Sequence, residues 1–248
     1  MRHLLGAAAV ATTVLMALST PALATGEAQT PPAAAESPEN GWRVVIYPVY
    51  GWLPIYRADV RFPDLPEGSS DANLDQAFLA AFRVEKGRFA LEGGFLYAGL
   101  SGEAERPLLK LEVDTQIADL RAGYEVVPDL YLEGGVRWLA LDMQATISDY
   151  PTESWKPDLL EPVVGLTYRP LVGKHWRLVL HGDVGGLVTG DSTTATGSAK
   201  VEWQPAKHFL LVAGGTVQYL RTEGTTGARS VKLDQTLYGP IIGFGIPF

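Results

Sequence analysis

From Trp42 onward, apolar residues recur at every second position in run after run, separated by short polar or glycine-containing stretches, which is the period of β-strands rather than helices. The first apolar face holds Trp42, Val44, Ile46, Pro48, Tyr50, Trp52 and Pro54. Pro48 has no N–H to give to a ladder, so a central strand there requires a bulge. A second strand over 73–85 (Leu74, Phe78, Ala80, Phe82, Val84) turns at Lys86-Gly87 into a third over 88–100, with Phe89, Leu91, Phe95 and Tyr97 opposite Arg88, Glu92 and Leu96.

The fourth strand, 108–127, carries a change of phase. Lys110, Glu112, Asp114 and Gln116 occupy even positions, whereas Asp119, Arg121 and Glu125 occupy odd ones, and one extra residue between Gln116 and Asp119 would put all of them on one face. Strand 130–147 then sets Leu132, Val136 and Trp138 against Glu133, Arg137 and Leu139, and strand 158–170 sets Leu160, Val164, Leu166 and Tyr168 against Glu161, Thr167 and Arg169. After Gly173-Lys174-His175, strand 176–189 has Trp176, Leu178, Leu180 and Val184 opposite Arg177, His181 and Asp183. Residues 197–205 give the weakest alternation, followed by 209–222 and 232–248, so the pattern predicts ten strands, or eight if 197–205 does not pair.

Even-numbered turns are short, while the segments 57–72, 148–157 and 224–230 read as longer loops at the opposite end. Paired glycines recur at 93–94, 134–135, 185–186 and 214–215, where they relieve crowding in a sharply curved small barrel. Aromatic pairs lie ten positions apart at Trp42/Trp52, Phe209/Tyr219 and Tyr238/Phe248. At ~3.3 Å per residue and a tilt of ~40°, such a pair spans ~25 Å, the height of an apolar membrane band flanked by two aromatic girdles.

The two faces decide between water and lipid. One is aliphatic and aromatic; the other holds Glu92, Arg121, Glu133, Arg137, Glu161, Arg169, Arg177, His181 and Asp183, with Lys200 and Glu202. So many bulky aromatics are hard to pack inside a ten-stranded cylinder, whereas a charge at the lipid midplane costs ~2–4 kcal/mol. The charged face is therefore expected to line the lumen as a paired network, with the apolar face against lipid.

Composition and targeting agree with that picture. Residues 1–24 combine Arg2, an apolar run from Leu4 to Leu18 and Ala22-Leu23-Ala24, the pattern of a secretory signal peptide cleaved after Ala24. Residues 25–40, rich in Ala, Pro, Glu and Thr without periodicity, read as a disordered periplasmic tether, and 41–248 as the barrel. The net charge of -8 argues against a nucleic-acid partner, and the absence of cysteine leaves no disulfide framework or thiolate metal site.

The last strand, Tyr238-Gly239-Pro240-Ile241-Ile242-Gly243-Phe244-Gly245-Ile246-Pro247-Phe248, with Tyr50-Gly51-Trp52-Leu53 and the Trp176 to Gly186 strand, resembles the small outer-membrane β-barrel proteins of Gram-negative bacteria over the whole mature chain. The resemblance implies an all-β, up-and-down antiparallel transmembrane β-barrel in the outer membrane, surrounded by outer-membrane lipid. It also implies delivery by periplasmic chaperones and recognition by the barrel-assembly machinery through Tyr238, Ile242, Phe244, Ile246 and Phe248. It implies no catalytic residue.

Candidate chemistry is sparse. His175 and His208 fall in predicted periplasmic turns, and His181, two positions from Asp183, has no serine at a strand position that obviously meets it. We therefore expect no catalytic site, cofactor or metal, and a structural barrel or a narrow passive channel for small solutes. A lipid-modifying enzyme and a surface-attachment barrel are the alternatives.

Overall fold

The structure is a computed structural model that describes residues 41–52, 55–61, 68–105, 108–147, 153–156, 158–186, 192–226 and 229–248. The expected signal peptide (1–24) and tether (25–40) lie outside the described residues. The strands are β1 (Trp42–Trp52), β2 (Ile55–Arg61), β3 (Gly68–Lys86), β4 (Phe89–Glu105), β5 (Leu108–Val127), β6 (Leu130–Ile147), β7 (Glu153–Trp155), β8 (Asp158–Tyr168), β9 (Trp176–Gly185), β10 (Ser192–Ala206), β11 (Phe209–Thr226) and β12 (Arg229–Pro247).

Neighbours in sequence are neighbours in the sheet, all antiparallel, and the sheet closes because β12 pairs with both β1 and β2 while both of those pair with β3. β2 continues the course of β1, and β7 and β8 successively pair along β6, so the twelve elements form a ten-stranded barrel. Backbone bonds between Phe248 and Val44 in both directions fasten the seam. The eight-stranded alternative is excluded: β10 pairs along its length with β9 and β11, beginning at Ser192 rather than at residue 197.

The outer wall is apolar. Ile242 is 69% exposed, Phe89 66% and Leu160 66%, values a water-facing sheet does not sustain as a continuous belt. Tyr238, Ile242, Phe244, Ile246 and Phe248 share that outward face of β12, with inward Gln235, Leu237, Ile241, Gly245 and Pro247 alternating between them. At the end bearing the short turns, Trp176 stacks on Trp203 at 5.6 Å and Phe89 meets Tyr124 edge-on at 5.2 Å, forming part of an aromatic girdle.

Pro48 sits where β1 slips register against both β12 (between Ile46 and Val49) and β3 (between Tyr47 and Tyr50), which is the bulge its missing N–H requires. The slip overturns the expected Trp42/Trp52 pair. Trp42 faces outward, 43% exposed, but the extra residue reverses the alternation and turns Trp52 inward, 5% exposed.

No bulge interrupts β5 between Gln116 and Asp119; its ladder with β4 is continuous from Phe89↔Tyr124 to Glu105↔Leu108. The odd residues Val113, Thr115, Ile117, Asp119 and Arg121 all point inward, and Glu112 and Asp114 point outward into exposure. The change of phase marks a change of surroundings. A crossing strand needs ~9–11 residues, and β5 has 20; Glu112 and Asp114 stand where it has left the apolar belt. There Asp114 accepts a bond from the Tyr97 hydroxyl at 3.0 Å. The side chain of Lys110 lies outside the described residues.

Where they are described, the segments expected as long loops are mostly paired strand. Within 57–72 the described residues pair from Tyr56↔Ala72 to Val60↔Gly68, with 62–67 outside the described residues; β7 occupies Glu153–Trp155, and β11 and β12 pair up to Thr226↔Arg229. β9 ends at Gly185, after which Gly186 takes a φ of +74°, and the expected strand residues 187–189 lie outside the described residues. The long arms project from the end opposite the short turns, which makes that end extracellular.

Glycine makes room at close approaches. A Cβ on Gly135 would collide with the Leu120 carbonyl of β5, and one on Gly214 with the Ala199 carbonyl of β10.

Candidate functional site

The lumen has two layers, and sequence alternation indicates only one of them. Toward the periplasm its wall carries the ionic residues of β3, β4, β5, β6, β8, β9 and β10. Toward the outside, Trp52, Leu96, Val113, Ile117, Leu139, Leu141, Met143, Leu220, Leu237 and Ile241 meet in a buried apolar cluster, which continues along β1 and β11 through Val45, Tyr47, Leu210 and Val212 beside the ionic residues. The expected charge network thus fills only part of the lumen: within each of β4, β5 and β6 the inward positions change from charged to apolar along the strand.

The ionic layer centres on Arg137 and Asp183. Arg137 on β6, 2% exposed, holds both carboxylate oxygens of Asp183 on β9, at 2.8 and 2.9 Å, and donates to Thr194 Oγ1 at 3.0 Å. Glu161 lies directly opposite Arg137 in the β6–β8 ladder, yet their closest approach is 4.0 Å. Its carboxylate accepts instead from Ser192 at 3.1 Å and from the hydroxyl of Thr194. Gly185 and Gly186 leave the space it occupies, since a Cβ on either would meet its oxygens.

Arg121 extends the network from β5, with Asp119 at 3.1 Å and Glu92, Glu133 and Asp183 each at 3.5 Å. Arg169 reaches Glu202 at 3.1 Å and, across the lumen, Glu92 at 3.5 Å. Arg177 faces the lumen opposite Glu202 in the β9–β10 ladder, but among the described residues it forms no ion pair. Multiple partners for each carboxylate are what a desolvated cluster requires, because each unpaired charge there costs several kcal/mol.

His181 belongs to the same layer. Its Nε2 is 2.7 Å from Asp183 Oδ2, its Nδ1 2.8 Å from Thr167 Oγ1 and 3.5 Å from Glu133. A hydroxyl, an imidazole and a carboxylate in series could activate a nucleophile, and the hydroxyl here is a threonine rather than the serine sought in the sequence. Thr167 is 1% exposed, and Arg137 occupies both oxygens of Asp183, so the arrangement supports packing within the network rather than access by a substrate. His175 and His208 sit in the short turns, bonded to the carbonyls of Gln204 and Pro247 at 3.1 and 2.8 Å.

Several members escaped the sequence reading. Arg83, fully buried on β3, bonds Glu85 at 2.6 Å and Glu92 at 2.5 Å and stacks 4.7 Å above the ring of Tyr131. Its place between Phe82 and Val84, in alternation with the apolar face, is the signal that identifies it. Tyr47, which donates to Glu202 at 2.9 Å, carried no such signal, since the bulge beside it conceals its direction. Between the layers is a cavity of about 170 Å³, bordered by Trp52, Ile117, Arg169, Lys200 and Thr196 among others. The Trp52 Nε1 and Thr196 Oγ1 atoms find no protein partner there, so it has room and donors for a few ordered waters.

No protein-family model matches the sequence, and no curated protein matches it. Among solved structures, the outer membrane protease OmpT from Escherichia coli superposes with a TM-score of 0.55 at 9% identity, covering 87% of this chain and 99% of that one. The transport unit of the autotransporter AIDA-I from Escherichia coli gives 0.43 at 11%, covering 98% and 96%, and Ail, the attachment invasion locus protein of Yersinia pestis, gives 0.41 at 13%, covering 84% and 99%. At these identities the likeness is one of fold. The chain has the fold of the small outer-membrane β-barrels, and with its lipid-facing apolar belt its place is the outer membrane.

Proposed function

We propose that this chain is a structural outer-membrane barrel that remains closed to solutes, rather than an open channel or an enzyme. The observation that carries this reading is the doubly filled lumen: an apolar layer from Trp52 to Ile241 lies outside an ion-pair layer centred on Arg137, and the space between them is only about 170 Å³. A passive solute would have to displace both. The protease, the autotransporter unit and the attachment protein that share the fold differ in what they do, so the fold selects none of those activities for this chain.

The network by itself could have been a gate, opened by breaking one pair. The apolar layer above it makes a single ionic substitution insufficient, since water entering there would have to solvate Leu139, Leu141 and Ile241. Purified full-length barrel in planar bilayers should therefore show no steady conductance, and neither should its Arg137→Ala variant. Reproducible conductance steps from the unaltered protein would overturn the closed-barrel reading and restore the narrow channel.

A further inference from the structure

The short turn between β3 and β4 presents two cations that the lumen network does not use. Lys86 points to the outer wall, its Nζ 4.5 Å from the centre of the Trp42 ring. Arg88 lies over Tyr124, 5.6 Å from the ring centre, with Nη1 3.3 Å from the phenol oxygen. Both are exposed, and among the described residues neither is paired with a carboxylate. The nearby acid Glu85 faces inward and is occupied by Arg83 and Arg43.

The ladder fixes their setting. Trp42 is opposite Lys86, Lys86 opposite Phe89, and Phe89 opposite Tyr124, so cations and aromatics form one row across β1, β3, β4 and β5 at the periplasmic edge of the apolar belt. Gly41, Lys86, Gly87, Arg88, Phe89 and Tyr124 together line a shallow recess in this row. Gly87, at a φ of +56°, turns the backbone so that the two basic residues flank it. From the recess, exposed Phe82, Leu91 and Leu120 continue up the lipid-facing wall.

We infer that this recess binds the phosphodiester headgroup of an anionic glycerophospholipid in the periplasmic leaflet. Lys86 and Arg88 would supply charge-assisted bonds to the phosphate, the girdle aromatics would hold both cations at headgroup depth, and an acyl chain would lie along Phe82, Leu91 and Leu120. A phosphate ester is the anion found at that depth beside an apolar wall. A soluble anion would use the cations and leave the wall idle.

Native mass spectrometry of the folded full-length chain, incubated with equal amounts of phosphatidylglycerol and phosphatidylethanolamine, tests this. The unaltered protein should retain phosphatidylglycerol on the order of tenfold better, the worth of one good charge-assisted contact. Lys86→Gln with Arg88→Gln should bring that ratio close to unity, with heat-modifiable mobility on a gel checking that the variant is folded. Lys174→Gln with Lys207→Gln, on two other short turns, should leave it unchanged. A ratio near unity for the unaltered protein overturns the site whatever the variants do. Equal loss on removing Lys174 and Lys207 overturns it in favour of a diffuse basic rim. Displacement of the lipid by inorganic phosphate, or equal retention of lipid A, overturns the assignment to a periplasmic-leaflet phospholipid. None of these outcomes depends on whether the lumen conducts.

Discussion

Arg137 shows how much one side chain can hold when its partners are chosen across the lumen. Its Nη2 donates to both oxygens of Asp183, at 2.8 and 2.9 Å, and leaves that carboxylate nearly unexposed and still able to accept from His181 at 2.7 Å. Removal of Arg137 leaves Asp183 in a desolvated layer with, among the described residues, only Arg121 at 3.5 Å and His181 at 2.7 Å, and loss of one partner of such a pair costs up to ~3–5 kcal/mol. Arg137→Ala should therefore unfold at a clearly lower temperature in detergent, followed by loss of strand ellipticity, whereas Lys207→Ala in an exposed turn should not. Adding Asp183→Asn to Arg137→Ala should recover part of the loss, because the under-compensated charge is then gone. A double variant no more stable than the single one would show that the pair contributes by packing rather than by charge.

At the scale of elements, the informative residue is Pro48. The bulge beside it lets Val45 and Tyr47 face inward on one side and Trp52 face inward on the other, although their positions differ in parity. The extra residue, more than the proline ring, is what sets this reversal. Pro48→Val keeps the residue count and should cost less than about 1 kcal/mol, within the range of β-propensity differences. Deleting Pro48 should instead turn Trp52 to the lipid and abolish the folded, heat-modifiable barrel. If the deletion variant folds with native stability, the bulge is not what orients Trp52. The regular β5 teaches the reverse lesson: a parity change there required no bulge, because charged outward residues such as Glu112 and Asp114 are at ease once the strand has risen above the lipid.

For the whole molecule, closure rests on β12, which pairs with β11 along one edge and with β1 and β2 along the other. We expect its lipid-facing residues Tyr238, Ile242, Phe244, Ile246 and Phe248 to serve also as the signal for assembly. Phe248 separates the two roles, since it is 59% exposed at the end of the seam and a charge near the membrane interface costs only ~0–1 kcal/mol. Phe248→Asp should thus refold in detergent with almost unchanged stability while accumulating in the periplasm of cells or being degraded. Normal assembly in cells would remove Phe248 from the signal. Instability in detergent would make its role structural.

The barrel wall was legible from the residues alone. Strand number, the outward direction of β12 and the lumenal direction of Glu92, Arg121, Glu133, Arg137, Glu161, Arg169, Arg177, His181 and Asp183 follow from a period of two, which the pleat of a single strand imposes without reference to any other. What fills the lumen was decided by the tertiary structure. Closing a tilted, staggered sheet brings to one level residues from strands that are not neighbours, so Arg137 grips Asp183 while its ladder partner Glu161 turns to Ser192 and Thr194. The same closure gathers Trp52, Val113, Leu139, Leu220 and Ile241, contributed by five different strands, into the layer that seals the barrel. Alternation is a local property of one strand, and contact across a closed sheet is a property of all ten.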